Sequence, residues 1–229
     1  GTALDKEITP SAAYVNFSYG FTSPSATYAI VSVKADGASE LTMGNFVIYE
    51  TAKPASKASW DGHWVWYNEN PVEEAVKEYR YFRYEFVLPE EATYAPLQIA
   101  VDDKFKLYVN GLFIDNTITD DSYTFGNVKV YFLEDYLKKG KNVFAIKAYN
   151  RVSEAGVLFD GKFTLADATV FITKSDTTVK TSKTVVGDIA DEENETVPAW
   201  ATKDFDDSLW RHAKDFGAPP VSPWGSMFY

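Results

Sequence analysis

The chain consists of short runs of aromatic and β-branched residues, and a turn signal cuts off each run before a helical period can develop. Tyr79 to Leu88 is a long strand halted by Pro89. Leu97 to Val101 and Phe105 to Val109 are strands joined at Asp102-Asp103. The sharpest signal is Asn110-Gly111, set between Lys106-Leu107-Tyr108-Val109 and Leu112-Phe113-Ile114. Both residues accept the positive φ angles of a type I′ turn, so this stretch predicts a β-hairpin. Val128 to Phe132, Asn142 to Tyr149, Val157 to Phe159 and Phe163 to Thr173 continue the pattern. Trp64-Val65-Trp66-Tyr67 reads as a short strand with both tryptophans on one side. Only Pro71 to Lys77 and Leu133 to Leu137 allow a helical turn, and Gly140 suits a left-handed cap after the second. Many short strands separated by turns indicate an all-β sandwich.

The supply of rings agrees. The 229 residues include 16 Phe, 15 Tyr and 6 Trp, and 45% of the chain is hydrophobic, enough for a large core. There are no cysteines, which excludes disulfides, thiolate zinc sites and thiol nucleophiles. A formal charge of −11 offers no basic footprint for nucleic acid or anionic membrane surfaces. No apolar run approaches the length that spans a bilayer. The chain opens at Gly1 rather than Met, as expected of a processed product.

Two parts differ in character. Residues 1–55 are rich in Ser, Thr and Ala and poor in charge, and Val15, Phe17, Tyr19 and Phe21 alternate along one face of a predicted strand. Thr27 to Val33 and Phe46 to Tyr49 supply two more strands. Three such strands are not stable alone, so this β-rich extension is expected to pack on the main body or on a neighbouring subunit. Ala52 to Ser59 reads as a connector, and 56–229 as the sandwich proper. Residues 174–197, with Asp191-Glu192-Glu193-Asn194-Glu195 at their centre, read as a solvated loop. Asp204 to Trp210 reads as an acidic cap before a short turn, and Pro219, Pro220 and Pro223 predict an extended C-terminus.

Several segments taken in order resemble a known module. They are Trp64-Val65-Trp66, Tyr81 to Phe86, Ile99-Ala100-Val101-Asp102-Asp103 and Tyr108-Val109-Asn110-Gly111. Tyr136 to Val143, Ala145 to Ala148, Phe205 to Trp210 and Ser222-Pro223-Trp224-Gly225 follow. Over roughly residues 60–225 the chain is similar to the galactose-binding-like jelly-roll domains that sit beside the catalytic domains of bacterial rhamnosidases and β-galactosidases. The resemblance implies a jelly-roll β-sandwich, no catalysis, and a glycan or polysaccharide as ligand. An extracellular or cell-surface location goes with it.

Candidate residues follow from chemistry. A sugar site needs a ring to stack on and amide or carboxylate groups beside it, which points to Trp60, His63, Tyr67, Asp102, Asp103 and Trp224. Asp102 and Asp103, adjacent at a tight turn, can both point outward, toward sugar hydroxyls or calcium. No specific calcium loop is present, and no other cofactor is implied. His63 and His212 are the sole histidines, and neither has a nucleophile motif around it. Asn16 and Asn194 open Asn-x-Ser/Thr sequons, glycan acceptors only in a compartment that glycosylates. Two alternatives to a carbohydrate-binding protein stay open. One is a filament or surface-layer subunit that self-associates through the N-terminal strands. The other is an accessory fragment of a glycosidase, which the end at Tyr229 allows.

Overall fold

A computed structural model describes residues 60–186 and 197–227. The three N-terminal strands, both sequons and the acidic run around Asn194 lie outside the described residues.

The elements in chain order are β1 (Trp64–Trp66), α1 (Pro71–Glu74), β2 (Glu78–Leu88), β3 (Ala92–Tyr94), β4 (Pro96–Asp102), β5 (Lys104–Val109) and β6 (Leu112–Asn116). Then come β7 (Lys129–Phe132), β8 (Gly140–Asn150), β9 (Gly156–Leu165), β10 (Val170–Lys174), β11 (Lys180–Ser182), a 3-10 turn (Ala199–Ala201), β12 (Arg211–His212) and β13 (Lys214–Gly217). One sheet runs β13-β1-β9-β4-β7, with β10 and β3 also pairing to β9; the other runs β12-β11-β2-β8-β5-β6. Every pairing is antiparallel. The fold is the expected all-β sandwich.

The spine of the second sheet is β2 on β8, paired without a break from Glu78↔Asn150 to Leu88↔Gly140. Phe82, Phe86 and Leu88 alternate along β2 and meet Val101, Phe105, Leu107, Phe144, Ile146, Val157, Phe159 and Phe163 between the sheets. Each such side chain contributes roughly 1.5–3 kcal/mol by leaving water. The Asn110-Gly111 hairpin forms as expected, with φ of 54° and 80°. Gly140 takes φ 93° just after the single turn that Tyr136 and Leu137 close on the Leu133 carbonyl. That conformation is costly for any residue carrying a Cβ.

The outer faces of both sheets are also apolar, and the last part of the chain roofs both. Tyr81, Tyr108, Val143 and Ala145 on the second sheet lie under Trp200 and Ala201. Trp64, Ala100 and Leu158 on the first lie with Trp60, Trp224 and Met227. Two buried ion clusters fasten the outer connections. Arg83 donates to Asp207 (2.9 Å), to Glu85 (2.8 Å) and to the carbonyls of Trp200 and Thr202. Arg80 donates to Glu69 at 2.6 and 2.9 Å, and Lys183 reaches the same carboxylate at 2.7 Å. Burial pulls the pKa of Glu69 up, but hydrogen bonds from Arg80 and Lys183 outweigh it and hold the carboxyl below its usual range.

Four expectations need correction. Trp64 and Trp66 do not share a face: Trp64 packs in the outer layer, while Val65 and, at the strand's end, Trp66 enter the core, where Trp66 meets Phe82 at 5.2 Å. Val157 to Phe159 and Phe163 to Thr173 are redrawn as a continuous β9 and a separate β10. Asp160-Gly161 does not break β9, because the Asp160 carboxylate accepts from the backbone N–H of Asp61 (2.8 Å) and Gly62 (3.3 Å) and from Gln98. The break falls instead at Asp167, whose side chain accepts from the Thr169 N–H. The polar stretch after Lys174 is not all loop, since Lys180–Ser182 pairs with β2. Finally, the proline-rich end turns back on itself: Gly225 N–H donates to the Val221 carbonyl at 2.7 Å.

Candidate functional site

The bulge at Trp64 and the return of the C-terminus create a cleft of about 400 Å³ at the edge of the first sheet. It is lined by Asn68, Glu69, Asn70, Pro71 and Val72 and by Glu154 and Ala155, just before β9. Lys214 and Phe216 of β13 join Pro223 and Trp224 to complete it.

Trp224 is fixed from three sides. It stacks on Trp64 with centroids 4.4 Å apart and planes at 17°, and the Phe216 ring meets it edge-on at 5.6 Å. Its indole N–H donates to the Asp102 carboxylate at 2.8 Å. Gly156 makes room for the stack, since a Cβ there would lie 2.6 Å from Trp64 and 2.8 Å from Trp224.

Asp102 does not point outward as the sequence suggests; it is buried beneath Trp224. Burial pushes its pKa up to about 7, the Trp224 hydrogen bond opposes this, and the charges of Asp103 and Glu154 add to the rise. Asp103 anchors the neighbouring loop, accepting from the backbone N–H of Arg151 (2.6 Å) and Val152 (3.2 Å), and so positions Glu154.

A linkage prediction follows. An unfolded aspartate titrates near 4 (about 3.9), so the folded state holds the Asp102 proton more tightly. The stability this supplies is complete below about pH 4 and is lost as pH rises through about 7. Asp102→Asn keeps an acceptor for Trp224 and removes the titration. Thermal unfolding of the variant is expected to vary less between about pH 5 and about pH 8 than that of the parent. An equal fall in both proteins would locate the titrating group elsewhere.

Of the six candidates, Asp102 and Trp224 meet at the cleft and Asp103 supports it. One face of Trp224 is stacked on Trp64 and Phe216 meets it at a steep angle, so it offers a wall rather than an open stacking platform. Trp60 is buried in the layer around Trp64. Tyr67 precedes the cleft residue Asn68, but its ring is flanked by Lys183 at 5.2 Å and Arg211 at 5.9 Å. His63 is not part of the lining; its Nδ1 pairs with Asp215 at 2.7 Å. Sequence reasoning missed Asn68, Asn70, Glu154, Lys214 and Phe216. None lies in a motif, and the proximity of Glu154 to Asp102 arises only through strand pairing. Among the described residues no group of three or more His, Cys, Asp or Glu side chains could hold a metal ion. No helix among them is long and apolar enough to cross a membrane.

The architecture has counterparts. The α-L-rhamnosidase of Streptomyces avermitilis is 29% identical over 169 residues, which cover 72% of this chain and 15% of that enzyme. The crystal structure of a Streptomyces avermitilis α-L-rhamnosidase complexed with L-rhamnose superposes with a TM-score of 0.63 at 28% identity, over 76% of this chain and 16% of that one. A lectin from Pleurotus ostreatus, in its apo form, superposes with a TM-score of 0.59 at 26% identity, over 72% of this chain and 44% of that one. The described body is a β-sandwich similar in fold to part of these rhamnosidases and of this lectin. The Pleurotus lectin, solved also in complex with GalNAc, matches at 26% identity and a TM-score of 0.54, over 72% of this chain and 46% of that one. The chain thus spans less than a fifth of the rhamnosidase and under half of the lectin. No protein-family model matches the chain.

Proposed function

We propose that this module is a non-catalytic carbohydrate-binding protein of the extracellular space or cell surface, and that it takes glycan in the cleft beside Trp224. The observation that carries this reading is the composition of the cleft. Two rings, Phe216 and Trp224, line it together with Asn68, Asn70 and Glu154, which carry amide and carboxylate groups. Sugars present apolar C–H faces and fans of hydroxyls, and rings with amide and carboxylate groups match both. Its volume of about 400 Å³ is in the range of small-ligand sites, roughly 300–1,000 Å³. The rhamnosidase and lectin relatives, solved with L-rhamnose and GalNAc, support the same ligand class.

The test is a fluorescence titration of the tryptophans against a glycan panel. Binding of a wall-limited site is expected at Kd values of about 0.1–1 mM, with a change in Trp emission that Glu154→Ala weakens about tenfold. Glu154 is a loop residue, so the variant keeps its fold. Silence across the whole panel would overturn the reading.

A further inference from the structure

We infer that the cleft is built for an acidic glycan, one carrying uronate carboxylates, and that Lys214 reads the charge. This deepens the proposed function and rests on the cleft being the glycan site.

The argument is a charge inventory along β13 and β12. The chain carries a net charge of −11, and cations near the cleft are mostly spoken for. Arg80 is held by Glu69, and Lys183 by Glu69 and Glu74. Lys214 is different. It lines the cleft, its ammonium lies 5.0 Å from the Phe216 centroid, and among the described residues it has no carboxylate within ion-pair distance. Arg211 is the second such cation: its guanidinium lies over Tyr67 and pairs with no acid there. Strand pairing puts the two close, because Lys214 registers with Trp66, and Tyr67 and Asn68 follow Trp66 directly. Two unpaired cations thus bracket the path from the cleft across Tyr67.

The acids facing this path are accounted for. Glu69 is neutralised by Arg80 and Lys183, and Asp215 is turned to His63. Glu154 also lines the cleft. A uronate uses both sides: its hydroxyls donate to Glu154, and its carboxylate accepts from Lys214. A charge-assisted hydrogen bond of that kind is shorter and stronger than a neutral one. A neutral sugar leaves the ammonium without its counter-charge.

The deciding experiment compares oligomers of galacturonic, glucuronic and mannuronic acids with the same oligomers methyl-esterified, by calorimetric titration of the full chain. Esterification removes the charge and keeps the sugar. At least one free acid is expected to bind about tenfold more tightly than its ester, with the gap closing in high salt. Lys214→Met is expected to abolish the gap, so that acid and ester bind alike whatever the absolute affinity; Arg211→Met narrows it for longer oligomers only. If esters bind as well as acids, the charge inference fails while the cleft stands as a glycan site. If neither binds, the charge inference fails, and the glycan panel alone decides whether the cleft is a sugar site.

Discussion

Replacing Arg83 by methionine is expected to cost about 3–5 kcal/mol of folding stability, read as a drop in the urea midpoint at neutral pH. Arg83 is fully buried on the outer face of β2. Its guanidinium serves Asp207, Glu85 and two main-chain carbonyls of the segment that carries Trp200. Methionine fills the volume but supplies no donors. The carbonyls of Trp200 and Thr202 lose this partner, and Asp207 keeps only Lys180, at 2.7 Å. Burial raises the pKa of Asp207, and hydrogen bonds from Lys180 and Arg83 more than reverse it. The Asp207 contribution is therefore present above the unfolded-state pKa and lost on acidification through the lower folded one. The penalty of Arg83→Met should accordingly shrink at low pH. A domain of this kind has about 5–15 kcal/mol in total, so the change is a large share. A midpoint shift worth less than about 1 kcal/mol would show that the C-terminal segment is not held through this arginine.

Gly156→Ala is expected to act on the site as well as on stability. The added methyl would lie 2.6 Å from Trp64 and 2.8 Å from Trp224, inside their van der Waals radii, so one indole must move. Overpacking of this sort costs about 1–3 kcal/mol. Trp224 is the freer of the two, being on the tail rather than in a strand, and its displacement breaks the hydrogen bond to Asp102. Tryptophan emission should shift to the red, and glycan affinity should fall about tenfold or more. Gly126→Ala is the control: its Cβ would meet nothing nearer than 3.7 Å, and both readouts should stay put. Unchanged emission in Gly156→Ala would contradict the tight stack.

Much of the fold can be read directly from the residues, because strands and reversals are local. Asn110-Gly111 fixes the β5–β6 hairpin on its own, and Pro89 stops β2 where the pattern indicates. The errors share a cause, which is that side-chain partners far along the chain decided them. Trp64 and Trp66 parted company because Trp66 turns into the core against Phe82 of β2, and Asp160 could stay in β9 only because Asp61, Gly62 and Gln98 came to it. The site is less legible still. Asp102 and Trp224 are both visible as candidates, but nothing in their neighbourhoods announces that they touch across 122 positions. Glu154 and Lys214 are ordinary surface residues until β9 and β13 flank β1 and bring them to one cleft.

The double roof supplied by the chain's closing portion has a consequence for biogenesis. On the ribosome, β1 to β11 can pair before Trp200 and Trp224 have emerged, leaving two tyrosine- and tryptophan-bearing plates wet until those later residues arrive. Closure is then a late, long-range event, which makes folding slow and the nascent plates adhesive. Synthesis halted before Trp200 would yield a sticky intermediate rather than a slightly smaller functional domain, and holdase chaperones are the expected guardians of that interval.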